Sequence, residues 1–241
     1  GYARQVLEQA SLLEEKYLSA SVHKANFCVS CQHYSFAVQA FVDVIKKFPA
    51  DSYDFTLRET QTWEIIDDVS RRKSEIGILY LSRANNKVIG KLIKERWLTF
   101  TELFTAKPHV FISKKNPLAK KTLITTQELK DYPCLTYEQG DHNSFYFSEE
   151  LLSTQAHPKS IQVRDRATLF NCIIGLNGYT VCSGVINADL NGTQIVSRPL
   201  KADEYMKIGF ITAKDSVLSR YGTSYLEFLK KRCNSAGHFK T

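Results

Sequence analysis

The sequence predicts an α/β fold of two successive α/β units. From Asn26 to Ser82, short apolar runs alternate with amphipathic helices in the order strand, helix, strand, helix, strand. That order argues for parallel strands joined by right-handed crossovers. The scheme returns over roughly residues 107–205, and a last strand and helix follow at 206–212 and 219–232. If that last pair rejoins the first unit, the chain makes two crossovers between the units.

Residues 2–19, "YARQVLEQASLLEEKYLS", place Tyr2, Val6, Ala10, Leu13 and Tyr17 on one helical face, with Glu, Gln and Lys elsewhere. Such a helix either packs on its own domain or reaches to a partner. "NFCVSC" reads as the first strand, and "SFAVQAFVDVIKKFP" as a helix closed by Pro49. "YDFTLRET" alternates as a strand should, and "WEIIDDVSRR" is helical. "EIGILYLS" is a continuous apolar run typical of a strand buried on both faces. Two more strands flank Lys107-Pro108 in "LTFTELFTAKPHVFISKKNPLA", the second closed by Pro117. "TTQELKDYPCLTYEQGDHNSFYFSEELLS" predicts a short helix, a strand at 134–137, a polar loop and another helix. "KSIQVRDRATLFNCIIGLNGYTVCSG" then predicts strand, polar turn, helix, glycine, strand.

Composition narrows the function classes. With 43% hydrophobic and 24% charged residues in 241, the chain is an ordinary globular sequence. No apolar run approaches the roughly 20 residues that span a bilayer, and the first 20 residues lack the apolar core of a secretory signal. The expected location is therefore cytoplasmic, with no membrane partner. The net charge of +7 is scattered between acidic neighbours, so charge alone does not make a nucleic-acid surface. Six cysteines in a chain long enough to build its own core are expected to be free. Asn191-Gly192-Thr193 matches a glycosylation sequon, but "NG" is equally a turn signal.

In open α/β sheets, ligands sit beyond the carboxyl ends of the strands, at helix N-termini. Three polar turns fit that place: Ser30-Cys31-Gln32-His33-Tyr34-Ser35, Glu59-Thr60-Gln61-Thr62 and Asp165-Arg166-Ala167-Thr168, joined by the polar loop 136–145. Their hydroxyls, amides and imidazoles suit a small polar or anionic molecule, and His33, His142 and Arg166 favour an anionic or zwitterionic one. No nucleophile elbow, zinc-protease, P-loop or dinucleotide motif occurs, so no catalytic residue, metal ligand or cofactor is assigned. Cys28 and Cys31 have redox spacing, but alternation along the strand points them to opposite faces. Structural or pocket-lining roles stand beside redox and zinc readings.

The order of elements resembles the effector-binding region of LysR-type bacterial transcriptional regulators, over about residues 4–232. The resemblance is carried by "LEQASLLEEKYLSA", "NFCVSCQHYSFAVQAFVDVIKKFP", "FTLRETQTWEIIDDVSRRKSEIGILYL", the segment through "KKNPLA" to "TYEQG", and "RATLFNCIIGLNGYTVCSGVI". It implies a type 2 periplasmic-binding-protein-like fold, two α/β subdomains with a central cleft and two crossovers, preceded by an N-terminal linker helix. Residues 1–22 would form a linker and dimerisation helix, 23–104 with 207–234 subdomain I, 105–206 subdomain II, and 235–241 a tail. By position it implies effector contacts from Ser30, Cys31, Gln32 and His33, from Thr60 and Gln61, from Tyr137, Glu138, Gln139 and His142, and from Asp165 and Arg166.

The resemblance further implies a homodimer, a tetramer in the full-length regulator, and DNA contact only through an N-terminal winged helix-turn-helix that is not in this sequence. Amino acids, acetylated amino acids and inorganic oxyanions are the expected effectors, and "SCQHYSF" and "EQGDHNSF" resemble regulators of sulfur amino-acid metabolism. Ser183-Gly184 stands where the family has a proline, which alters one pocket wall. A transport solute-binding protein of similar fold is the alternative; an enzyme on this fold would need paired acid-base groups in the cleft.

Overall fold

The computed structural model describes residues 24–49, 51–186 and 191–235; the amphipathic stretch 2–19 and the tail beyond 235 lie outside them. The first sheet is built from β1 (Ala25–Cys31), β2 (Tyr53–Glu59), β3 (Ile76–Leu81), β4 (Leu98–Ala106) and β11 (Met206–Ala213), in the order β2-β1-β3-β11-β4. β1 runs parallel to both β2 and β3, as alternation of strand and helix predicts, while β11 is antiparallel to β3 and β4. Helices α1 (Ser35–Lys47), α2 (Thr62–Ser70), α3 (Asn86–Glu95) and α5 (Arg220–Ser235) cover it. The second sheet takes β5 (His109–Ser113), β6 (Ile124–Thr125), β7 (Cys134–Tyr137), β8 (Ser160–Val163), β9 (Tyr179–Cys182) and β10 (Ile195–Lys201), in the order β6-β10-β5-β9-β7-β8. Helix α4 (Arg166–Leu176) packs on it.

Local chemistry explains the boundaries. α1 buries Phe36, Ala37, Ala40, Phe41 and Val44 and ends on Lys46 and Lys47, whose charges suit the negative end of its dipole, just before Pro49. The six residues of β3 are all buried, as its unbroken apolar run predicts. Gly77 within it lets α2 lie close: a Cβ there would meet Ile211 at 2.7 Å, Ile65 at 2.8 Å and Val69 at 2.9 Å. Asp165 caps α4 by accepting from the Thr168 N–H at 2.8 Å, and Asn177 ends it in the left-handed region with φ 56°. In the core, Phe27 packs among Phe41, Phe55 and Tyr225, and the fully buried Tyr225 donates its hydroxyl to the Ala37 carbonyl at 3.1 Å.

Four elements differ from expectation. The helix expected over "QELKDY" is a set of turns, because Glu128 folds its carboxylate back onto the Thr125 N–H and hydroxyl at 2.9 Å each, and Pro133 leaves no room for further turns. The helix expected over "SEELLS" is also turns: Glu149 and Glu150 point inward and Leu152 takes φ 63°. Helix α3 is unanticipated, its buried Ile89 and Ile93 masked in sequence by Lys residues and Gly90. So is β10, where Arg198, Pro199 and Lys201 hide the alternation, although Pro199 sits at the end of its ladder opposite His109.

The chain passes between the sheets at 106–109 and again at 201–206, and the two passes run side by side. Met206 pairs with Ala106 in the first sheet, Pro199 with His109 in the second, and the Leu200 N–H donates to the Pro108 carbonyl at 2.9 Å between them.

Candidate functional site

A cavity of about 40 Å³ lies where the two sheets meet, room for a few water molecules. His33, Tyr34 and Ser35, from the turn that starts α1, form one wall. The opposite wall comes from Phe111 on β5, Tyr137 on β7, Glu149 and Glu150 in the following turns, Arg166, Leu169 and Phe170 on α4, and Thr180 to Ser183 on and after β9. Met206, at the second passage between sheets, closes one side.

Across this junction the walls are bonded to each other. Glu149 Oε2 accepts from the His33 N–H at 3.0 Å and lies 2.9 Å from His33 Nδ1, with both side chains about 5% exposed. The His33 ring stacks on Tyr137 at 3.8 Å. Gln32 donates from Nε2 to Thr62 Oγ1 at 2.7 Å, and Thr62 in turn donates its hydroxyl to the Phe147 carbonyl and its N–H to Gln139 Oε1. With the Gln61 amide oriented to match its neighbours, its oxygen accepts from the Gly140 N–H at 3.1 Å. Arg166 Nη2 reaches Glu59 Oε1 at 3.1 Å, and the Tyr80 hydroxyl donates to the carbonyls of Ser148 and Glu150.

The charges in this junction perturb one another. Burial, and next the charge of Glu149, hold the Glu150 carboxyl well above the usual carboxylate range. Burial works against a charged His33, but the charge of Glu149 and its hydrogen bond outweigh it and keep the imidazole above its ordinary 6.5. Burial likewise lifts Glu59 in spite of Arg166.

Of the residues picked from sequence, His33, Tyr137 and Arg166 line the cavity. Gln32, Gln61 and Gln139 tie the two walls together instead of facing open space. Ser30 turns into its own unit, donating to Asp68 at 2.8 Å and lying 2.7 Å from the Ser74 hydroxyl. Cys31 is fully buried in the core of the first sheet, where burial first and then Glu59 push its thiol far up, which opposes a thiolate role. Thr60 donates to Glu64, Glu138 pairs with Arg164, His142 stacks on Trp63 at 3.9 Å, and Asp165 caps α4. These four do not line the cavity.

Cys28 faces away from Cys31 and is half-buried, 3.1 Å from the Ser74 hydroxyl; both cysteines are free. Among the described residues no cluster of His, Cys, Asp or Glu is placed to hold a metal, and no helix is long and apolar enough to cross a membrane.

Of the polar cavity residues, sequence reasoning missed Glu149, Glu150 and Thr180, while it placed Tyr34 and Ser35 in a ligand turn and Ser183 in a pocket wall without naming them as effector contacts. Tyr34 and Ser35 belong to the first polar turn and were within reach of it. The acidic pair sits in a stretch that reads as a solvated helix, and Thr180 in one that reads as core strand.

A sequence profile described as the LysR substrate binding domain matches residues 30–234. The chain belongs to this family. It is therefore an effector-binding domain of LysR-type transcriptional regulators, with their periplasmic-binding-protein-like fold. Solved structures agree on that fold at low identity. HinK, a LysR family regulator from Pseudomonas aeruginosa, is 11% identical with a TM-score of 0.58, covering 96% of this chain and 77% of its own. The regulatory domain of MetR from N. meningitidis is 12% identical with a TM-score of 0.58, covering 88% of this chain and 94% of its own. The effector-binding domain of QuiR, solved in complex with shikimate, is 15% identical with a TM-score of 0.57, covering 90% of this chain and all of its own (100%). A search of curated proteins found no match.

Proposed function

We propose that this LysR-type domain senses a small polar metabolite, anionic or zwitterionic, in the cavity between its two sheets. Effector binding would alter DNA contacts made by an N-terminal helix-turn-helix, in a cytoplasmic regulator that performs no catalysis itself. The observation that carries this reading is a set of buried polar atoms in the cavity wall without a hydrogen-bond partner among the described residues: Glu150 Oε2, Thr180 Oγ1 and Arg166 Nη1. Native interiors pair nearly all such atoms, because each orphan costs about 1–3 kcal/mol. A bound molecule that pairs them recovers that cost. A place for the effector in sulfur amino-acid metabolism rests on the two polar loops "SCQHYSF" and "EQGDHNSF".

A thermal-shift screen of amino acids, acetylated amino acids, sulfur metabolites and oxyanions tests the reading. An effector at 100 times its Kd is expected to add about 2.7 kcal/mol of stability. If no compound in any of these classes raises the melting temperature at millimolar concentration, the cavity is not the effector site.

We further propose that the domain pairs with a second copy through α4. Its outer side exposes Ile174 and Leu176, 41% and 52% accessible, on a helix whose one charged residue is Arg166 at its start. Two such faces meet without burying a charge. Light scattering is expected to give a dimer, with Ile174→Glu shifting it to monomer; an unchanged mass would place the contact elsewhere.

A further inference from the structure

We infer that the effector presents a protonated amine to Glu150 and Thr180, so that of the two classes proposed above the zwitterion is the one sensed. The inference rests on the effector reading of this cavity and names the group it recognises. The anion place that the first polar turn offers is already filled, since the domain's own Glu149 carboxylate accepts from the His33 N–H and faces its ring nitrogen. The unpaired groups of the cavity wall are one carboxyl oxygen, one hydroxyl and one guanidinium nitrogen. Glu150 is 3% exposed: its Oε1 accepts from the Tyr137 N–H at 2.9 Å, while Oε2 has no partner among the described residues. Thr180 is 4% exposed with its hydroxyl oxygen equally unpartnered, and both residues line the same cavity.

Among the cavity wall's own donors, the Tyr34 hydroxyl is spoken for, because it gives its proton to Gln32 Oε1 at 3.0 Å. An ammonium brings three N–H donors, and a cation beside Oε2 favours the ionised form of Glu150 that burial and Glu149 otherwise oppose. A plain anion would instead enter a water-poor space whose two cations, His33 and Arg166, are already engaged by Glu149 and Glu59, and it would leave Glu150 Oε2 unpaired. The free Nη1 of Arg166 leaves a place for the effector's own carboxylate. The small cavity volume favours an amino acid with a short side chain.

The test compares, on this chain, L-alanine, L-serine and L-cysteine with propionate, which lacks the amine, and ethylamine, which lacks the carboxylate, by calorimetry and thermal shift. At least one of the three amino acids is expected to bind, and propionate at least tenfold more weakly. Glu150→Gln keeps the acceptor for the Tyr137 N–H but cannot ionise beside an ammonium, and is expected to weaken that amino acid at least tenfold. Thr180→Val removes a hydroxyl that the folded domain does not use, so its melting temperature should hold while affinity falls about three- to tenfold, the loss of one hydrogen bond. Propionate binding within twofold of the amino acids, or full affinity retained in both variants, would overturn the amine assignment while leaving the cavity as the effector site. Binding by none of these compounds or of the broader screen would remove the effector reading and this inference together.

Discussion

Gln32→Ala is expected to lower the unfolding free energy by about 3–5 kcal/mol. Gln32 is 1% exposed and its side chain makes three bonds: Nε2 to Thr62 Oγ1 at 2.7 Å, and Oε1 from the Tyr80 N–H at 3.1 Å and the Tyr34 hydroxyl at 3.0 Å. Truncation strands two donors where water does not reach freely and leaves a void the size of an amide. The damage reaches the second unit, because Thr62 hands the network on to Phe147 and Gln139. Urea unfolding at pH 7 measures the effect. A loss below 1 kcal/mol would mean that Gln32 faces effector and not the protein's own groups.

His33→Ala is expected to cost about 3–5 kcal/mol near pH 6, the loss typical when one partner of a buried ion pair is removed. Glu149 would then keep, of the side-chain donors described here, only the Gln139 amide at 3.4 Å. The cost depends on pH with a definite sign. His33 titrates above its ordinary 6.5 in the folded domain, so its contribution is complete below that value and fades as pH rises through the folded one. The gap between wild type and variant should therefore narrow from pH 6 to pH 9. Glu150, also raised, favours the folded state below the carboxylate range and loses that contribution as pH climbs, but it titrates in both proteins and drops out of the difference. A gap that widens with pH would contradict the ion pair.

Much of the fold was legible because its signals are local. The apolar run of β3, the strand-turn-helix of β1 and α1, and that of β8 and α4 each follow from a few neighbouring residues. The misses are tertiary. Glu149 and Glu150 have the composition of a solvated helix and are instead drawn inward by the His33 and Tyr137 N–H groups, which no spacing rule announces. Ser30 and Cys31 stand in the right turn, yet one hydroxyl goes to Asp68 and the thiol goes to the core, since the strand's alternation decides their direction before the turn begins. The sequence thus located the cleft but misjudged which polar groups look into it. The groups it chose as ligands are in good part the fastening between the two halves.

The paired passages between the sheets set how that fastening can come undone. Because 106–109 and 201–206 run together and stay bonded on both sides of the gap, they behave as a two-ply strap. Sliding one half along the other would tear the ladder at Met206 and Ala106, whereas flexing the strap leaves every rung intact. Any widening of the junction between His33 and Glu149 would thus become an angle, opening like a book about its spine. Whatever is attached to the two covers would feel a rotation about the axis that the strap sets.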